Sequence, residues 1–436
     1  MRAIALFFLV PIFCQNWEPF HSQELDRFQN IQINYKNIDS RAKDINLNTI
    51  NRSSLTHEVI GYLPYWEYSE YPDLDYSLLT QINFFSAELS LYGDIINDHN
   101  WENLYFIDFA QSYGVKVKLC ATLFGEYELS TLLENYFYRQ NAINNLLDLV
   151  LSVGADGIDI DFELLPTNQR DNLVLFMEEL SFAFHSEMDN PIITMATPAI
   201  DWSNAWDYES LAEITDGLFI MGYNYFYSGS ANAGPVAPLG GYFYDIEYTV
   251  NDYLNKTNNQ TDKLILGLPY YGYDWDVVDS SINSETMSYG IAKTYAEARM
   301  LDEYYGSYWD QSSNSAWLPY YDDTWTWNQC WFDDDLSLSS KYAFAKELDL
   351  QGIGIWALGY DDDYQDLWNL LELHFESSVY GDINLDESID IQDIIIVINI
   401  IIENSDFLHQ ADLNSDQYID VLDILILVNL ILDRSL

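Results

Sequence analysis

The chain has 436 residues, and 70 acidic side chains against 17 basic ones give it a formal net charge of -53. A surface so negative repels phosphate backbones, which excludes nucleic acid as a partner. With 49% hydrophobic and 16% aromatic residues, disorder is excluded for most of the chain, and the length predicts one large domain and at least one small one.

The first residues, MRAIALFFLVPIFCQ, place Arg2 before an apolar run from Ala3 to Phe13. This reads as a secretory signal over residues 1–14, too short to cross a bilayer as a mature helix, and predicts a secreted protein without a membrane span. Cys14 invites lipidation and cell-surface attachment, but Phe13 is bulky where a lipidation site has a small residue, which favours simple cleavage. Cys120 and Cys330 are then left, and they read as two buried thiols, not a disulfide framework. Residues 15–56 are rich in Asn, Asp and Gln without sustained periodicity and read as a spacer.

Residues 57–376 carry the pattern of the large domain. VIGYLPYWE predicts a buried strand ending in Tyr65 and Trp66. Further strands are expected at Gln81–Leu89 and Val115–Gly125, with helical spacing from Trp101 to Tyr113. Ala142–Val153 predicts an amphipathic helix that stops at Gly154. GADGIDIDFE, Gly154 to Glu163, follows. Side chains alternate along a strand, so Asp159, Asp161 and Glu163 share one face and Ile158, Ile160 and Phe162 the other. Same-face neighbours lie about 6.6 Å apart at the backbone, and like charges so close push at least one pKa upward, keeping a carboxyl protonated as a general acid. Glu163, last in the row and on the longest arm, is the natural donor. Asp156 has the parity of Ile158, points away from the cavity and is expected to have a structural hydrogen-bonding role.

After a helix over Asn168–Ser186, strands are expected at Ile192–Pro198, Gly217–Tyr225, Leu264–Tyr271 and Gly352–Leu358. Eight strands alternating with helices imply an α/β fold of the (β/α)8 TIM barrel type, with the acids at the C-terminal strand ends where such barrels keep their active sites. The interval Asp274–Trp331, rich in Tyr, Trp, Ser and Asp, is too long for a crossover and predicts an insertion between strands 7 and 8 that walls one side of a cleft. Trp66, Trp202 and Trp275 follow or end strand candidates, where packing competes with stacking on a ligand.

The pattern DxxDxDxE at Asp156, Asp159, Asp161 and Glu163 resembles the signature of glycoside hydrolase family 18, the chitinase-like family. MGYN at Met221 to Asn224 resembles that family's MxYD motif, with Asn224 in place of Asp. GLPYYGYDW, Gly267 to Trp275, resembles its seventh strand, and GIGIWALGYD, Gly352 to Asp361, its eighth, with Trp356 where the family has the indole floor under the reacting sugar. TLFG, Thr122 to Gly125, stands where the family has SxGG. The resemblance implies substrate-assisted, retaining hydrolysis without a catalytic cofactor: Glu163 as acid and base, Asp161 holding the substrate's acetamido group, Asp159 tuning Asp161, and Tyr223 positioning the acetamido oxygen. Asn224, Trp356, Met221, Tyr65 and Trp66 are implied as substrate-binding residues.

From residue 380 the character changes. Two units offset by thirty residues place oxygen ligands at loop positions 1, 3, 5, 9 and 12: Asp382, Asn384, Asp386, Asp390, Asp393, and Asp412, Asn414, Asp416, Asp420, Asp423. This is the spacing of an EF-hand-type loop and predicts Ca2+. The apolar run Ile394–Ile402 is too short to span a membrane. The duplicated loop-helix unit over 380–436 resembles a type I dockerin, a small all-α calcium-binding domain, and the resemblance implies a cohesin-type partner. The substrate expected from the family 18 resemblance is a β-1,4-linked N-acetylglucosamine polymer such as chitin. The competing readings are a peptidoglycan or N-glycan N-acetylglucosaminidase, and a non-catalytic chitin-binding lectin, against which the presence of Glu163 counts.

Overall fold

The computed structural model of the protein describes residues 19–43, 45, 55–376, 381–384, 388–403, 408–414 and 418–434. Eight parallel strands form its centre: β1 (Glu58–Pro64), β2 (Gln81–Leu89), β3 (Lys116–Phe124), β4 (Gly157–Glu163), β5 (Ile192–Pro198), β6 (Gly217–Met221), β7 (Leu264–Pro269) and β8 (Gly352–Trp356). Each pairs with its neighbours in sequence, and β1 pairs with both β2 and β8, so the sheet closes and leaves no open edge. The acidic strand is delivered by the helix Tyr136–Val153, which starts where the Asn135 side chain accepts from the Phe137 N–H and stops at Gly154, a residue at φ 67°. Glycine takes that left-handed geometry without steric cost.

Inside the barrel, bulk on one strand is matched by absence on its neighbours. The Phe219 ring of β6 meets Tyr62 edge-on at 4.8 Å, and the space it fills is left by Gly267 and Gly354. A Cβ on Gly354 would lie 1.9 Å from Phe219 Cε2, and one on Gly267 2.3 Å from Cε1. Barrel interiors are packed cores of this kind, not pores.

Sequence alone carries strand 7 on to Tyr271. In the structure the chain leaves the barrel after Pro269, which lies opposite Trp356, while Tyr271 pairs with Thr294. The Tyr270 N–H closes on the Trp356 carbonyl at 2.6 Å, and an antiparallel partner then takes the chain over. Tyr271–Val277 thus belongs to a five-stranded antiparallel sheet in the order Ile291–Thr294, Tyr271–Val277, Trp327–Phe332, Ser315–Tyr321, Tyr308–Asp310. This sheet lies between β7 and β8 in the chain, and Tyr271, Tyr273 and Trp275 on one of its faces are buried.

The stretch read as a spacer holds two helices, α1 (Phe20–Phe28) and α2 (Tyr35–Lys43). Their apolar residues, Phe20, Leu25 and Phe28 on α1 and Tyr35, Ile38 and Ala42 on α2, pack against the barrel core, and α1 also buries two polar side chains, His21 and Glu24, at 2% and 3% exposed. The C-terminal repeat has a core of its own, in which Ile383, Ile389, Val397, Ala411, Leu413 and Leu427 are buried between helices Ile391–Glu403 and Val421–Arg434. Among the described residues no helix is long and apolar enough to cross a membrane.

Candidate active site

Alternation along β4 turns Asp159, Asp161 and Glu163 to the inside of the barrel, stepped from its middle to its rim, and all three are buried. Asp159 is the deepest. It accepts from the Tyr62 hydroxyl at 2.6 Å and from Thr194 Oγ1 at 2.6 Å, and Thr194 in turn receives the buried Lys118 ammonium at 2.6 Å. Burial lowers the Lys118 pKa to about 8, with Asp159 opposing the fall. Burial lifts the Asp161 carboxyl to about 7 against the pull of the His21 charge, and Glu163 adds to the rise. The crowding expected of the acidic row therefore falls on Asp161, whose Oδ1 has no hydrogen-bond partner among the described residues.

Glu163 closes the row. Its carbonyl accepts from the Gly125 N–H at 3.1 Å, and Gly125 stands at φ 115°, so the glycine of TLFG pins the end of the strand in a conformation other residues rarely adopt. Thr122, three residues before Gly125 and on β3, lies opposite Asp161. Met221, the last residue of β6, and Tyr223 and Asn224 just beyond it line the same cleft as Glu163. Asn224 is at φ 60°, which asparagine tolerates better than most residues, and its Oδ1 accepts from the Tyr271 hydroxyl at 2.7 Å. Burial holds the Tyr223 hydroxyl well above its ordinary range, so it is a neutral donor. Trp356, at the end of β8, is fully buried beneath the cleft, and its indole N–H also lacks a partner among the described residues.

The remaining sequence candidates lie away from this point. Trp66 is buried, donates to the Tyr360 hydroxyl at 3.2 Å and carries the stacked Phe28 ring at 4.8 Å. Tyr65 stacks on His99 at 3.5 Å. Trp202 is exposed on the open side of the cleft with Ile200 and Tyr227, and Trp275 is buried, donating to the Ser228 carbonyl. Asp156 lies at the opposite end of β4, outside the barrel, and accepts from Gln111, Lys116 and the Val117 N–H. Tyr62, Lys118 and Thr194 were not singled out from sequence, although their inward parity was the available signal. His21 gave no such signal, and yet it sits in the middle of the site. Its Nδ1 is 2.9 Å from Asp161 Oδ2 and 3.2 Å from Glu163 Oε1, and its Nε2 is 3.2 Å from the Tyr223 hydroxyl.

In the C-terminal repeat, Asp386 and Asp416 fall outside the described residues. The other ligand candidates are arranged alike in both units. Asp393 accepts from the N–H groups of Ile383, Asn384 and Asp390, and Asp423 from those of Leu413, Asn414 and Asp420. Each loop thus folds back on the acid at its twelfth position. All donors are carboxylate or amide oxygens, the set that suits a hard cation such as Ca2+.

A closed parallel barrel whose fourth strand ends in stepped carboxylates over a buried indole has the architecture of a glycoside hydrolase. Residues 58–361 match the model of glycosyl hydrolases family 18, and the chain belongs to that family; residues 380–432 match the dockerin type I domain. A protein of Bacillus subtilis strain 168 named as a sporulation-specific glycosylase is 27% identical over 331 residues, covering 70% of this chain and 73% of its own. Di-N-acetylchitobiase of Rattus norvegicus is 27% identical over 288 residues, covering 58% of this chain and 74% of its own. A Cycas revoluta family 18 chitinase solved with (GlcNAc)3 shares the fold, with a TM-score of 0.66 at 20% identity over 73% of this chain and 99% of that one.

Proposed function

We propose that the protein is a secreted hydrolase of β-1,4-linked N-acetylglucosamine polymers such as chitin, working by substrate-assisted, retaining catalysis. The observation that carries this reading is that Asp161, Glu163 and Tyr223 converge above Trp356, their polar atoms all within 3.2 Å of one five-membered ring, that of His21. A sugar seated on that indole brings its 2-acetamido group among them. The acetamido oxygen attacks the anomeric carbon as the glycosidic bond breaks, and Glu163 gives its proton to the departing oxygen. Asp161 accepts from the acetamido N–H and offsets the positive charge of the oxazolinium so formed. Tyr223 donates to the acetamido oxygen and places it for attack. Water then adds to the anomeric carbon from the side the leaving group vacated, losing its proton to Glu163, and configuration is retained. Asp159, held by Tyr62 and Thr194, tunes the proton affinity of Asp161 through its like charge.

Glu163→Gln is expected to cut the turnover of aryl N-acetylchitooligosaccharides by about 10²–10⁴-fold, the range for loss of a general acid, with binding of the oligosaccharide kept. Equal cleavage of the 2-hydroxy analogues, the cello-oligosaccharides, would rule out acetamido participation. The likeness to a Bacillus glycosylase favours a second reading, an N-acetylglucosaminidase acting on peptidoglycan, and products from purified sacculi against those from chitin oligomers separate the two.

For the C-terminal unit the proposal is Ca2+ in each loop and a cohesin-type partner outside the cell. When bound, Ca2+ neutralises the loop carboxylates and holds each loop against its helix. The exposed apolar residues repeat with the same offset of thirty, Ile391 with Val421, Ile395 with Leu425 and Ile402 with Leu432, which supports a duplicated docking face.

A further inference from the structure

We infer that residues 19–43 form an intramolecular plug of the active site, in which His21 takes the place of the reacting sugar. This rests on the assignment of Asp161, Glu163 and Tyr223 to the reacting subsite. The His21 ring lies on Trp356 with centroids 3.9 Å apart and planes 29° from parallel, the stacked placement expected of a sugar on that indole. Its two nitrogens engage the three barrel groups that the reaction needs for the acetamido group and the leaving oxygen. A protonated imidazole is a flat, five-membered, cationic ring carrying N–H donors. The oxazolinium is also a flat, five-membered cation, and a site built to stabilise such a ring binds its stable mimic tightly. Occupation by His21 and by substrate is mutually exclusive.

The neighbours of His21 make the contact a built one. Phe20 stacks on Tyr271 at 4.4 Å with planes 11° apart, Glu24 accepts from the Tyr360 hydroxyl, and Phe28 covers Trp66. The second helix holds the segment from outside the cleft. Asp39 accepts from Tyr68 at 2.7 Å and Tyr71 at 3.0 Å, Ala42 is buried, and the Lys43 ammonium lies 4.4 Å from the Tyr105 ring centre. None of these residues closes the barrel, whose strands pair completely without them. Burial alone would lower the His21 pKa, but the Asp161 and Glu163 carboxylates prevail and raise it to about 10. The ring is therefore cationic where it sits. The plug fills the cleft above Trp356 and leaves open the side lined by Ile200, Trp202 and Tyr227, where a polymer chain can still approach.

An intramolecular competitor raises the apparent KM by a factor of one plus the ratio of plugged to free enzyme and leaves kcat alone. The test compares the full chain, the same chain with Phe20→Ala and His21→Ala, and the full chain carrying a specific protease site within residues 46–54, before and after cutting, on an aryl N,N′-diacetylchitobioside. Tenfold or greater lowering of KM at constant kcat is expected from the double substitution and from cutting followed by removal of the released segment. A synthetic peptide of residues 17–43 should restore the high KM competitively, and its His21→Ala version should not. Unchanged KM in both altered forms overturns the plug while leaving the hydrolase reading intact. Were every form inactive on all acetamido sugars, the hydrolase reading would fail, and calorimetry of the peptide with the cut protein would decide the plug. Binding displaced by N-acetylchitotriose supports it, and no binding at millimolar peptide overturns it.

Discussion

The two ends of the chain solve the same problem in opposite ways. Each is a short helical segment beside a large barrel, too small to bury much surface alone. The C-terminal repeat builds a private core of Ile, Leu and Val and closes its loops on Asp393 and Asp423. The N-terminal segment has no core and borrows one, placing Phe20, His21 and Glu24 against aromatic and acidic groups of the barrel. A segment that folds on itself shows its pattern in its own sequence, whereas one that folds on a partner shows only half of a pattern.

The contrast breaks most sharply on removal of divalent cations. Chelation should melt the helices Ile391–Glu403 and Val421–Arg434, with a loss of about 4 kcal/mol per site relative to cation at a thousandfold excess over its Kd, while the barrel and the segment 19–43 keep their amide protection. Hydrogen exchange over both ends at once reads this, and equal loosening of the two would erase the distinction. Phe20→Ala comes next. It removes a stacked, buried ring and should weaken docking of the N-terminal segment by about 3 kcal/mol, the low end for deleting a buried phenylalanine, without moving the thermal transition of the tail; a proteolysis assay directed at residues 44–56 reports it.

Acidity has a smaller, directional effect. His21 faces Asp161 and Glu163 from β4 and Tyr223 beyond β6, with Glu24 one turn along its own helix. Its docked pKa is about 10 against an ordinary value of 6.5, a raised value, so the docking it supports is present in full below pH 6.5 and is lost as pH climbs through 10. Between those limits the docking constant falls by at most about tenfold per pH unit, the one-proton limit. The ratio of wild-type activity to that of the doubly substituted chain, read at subsaturating substrate, should therefore rise as pH climbs above about 7, where the Asp161 carboxyl that pairs with the imidazole has given up its proton. A flat ratio would mean the imidazole is docked neutral. The smallest effect is expected at Arg41, whose 3.1 Å pair with Asp73 joins two half-exposed side chains. Arg41→Ala should change docking by under about 1 kcal/mol, as for other surface ion pairs, and a large effect there would move the anchor from the cleft to the surface.

Much of the barrel was legible because its signals are local. Gly154 stops a helix, the alternation of Asp and Ile in β4 divides inside from outside, and the calcium-loop spacing repeats at a fixed offset. Strand ends were less so. The seventh strand stops at Pro269 because Tyr271 finds an antiparallel partner at Thr294, a pairing across an insertion that no local window contains. Tyr62, Lys118 and Thr194 carry inward parity, but their bearing on Asp159 arises only when β1, β3 and β5 are brought round one axis.

The order of residues along the chain by itself determined the acidic row, the barrel that positions it and the duplicated loops, since each follows from periodicity or spacing between near neighbours. Tertiary structure alone decided that burial lifts the Asp161 carboxyl toward neutrality, and what lies on the indole of Trp356. Both depend on burial and on charges brought together from distant segments: His21 and Asp161 are 140 positions apart, and their attraction exists only once the mouth of the barrel has formed.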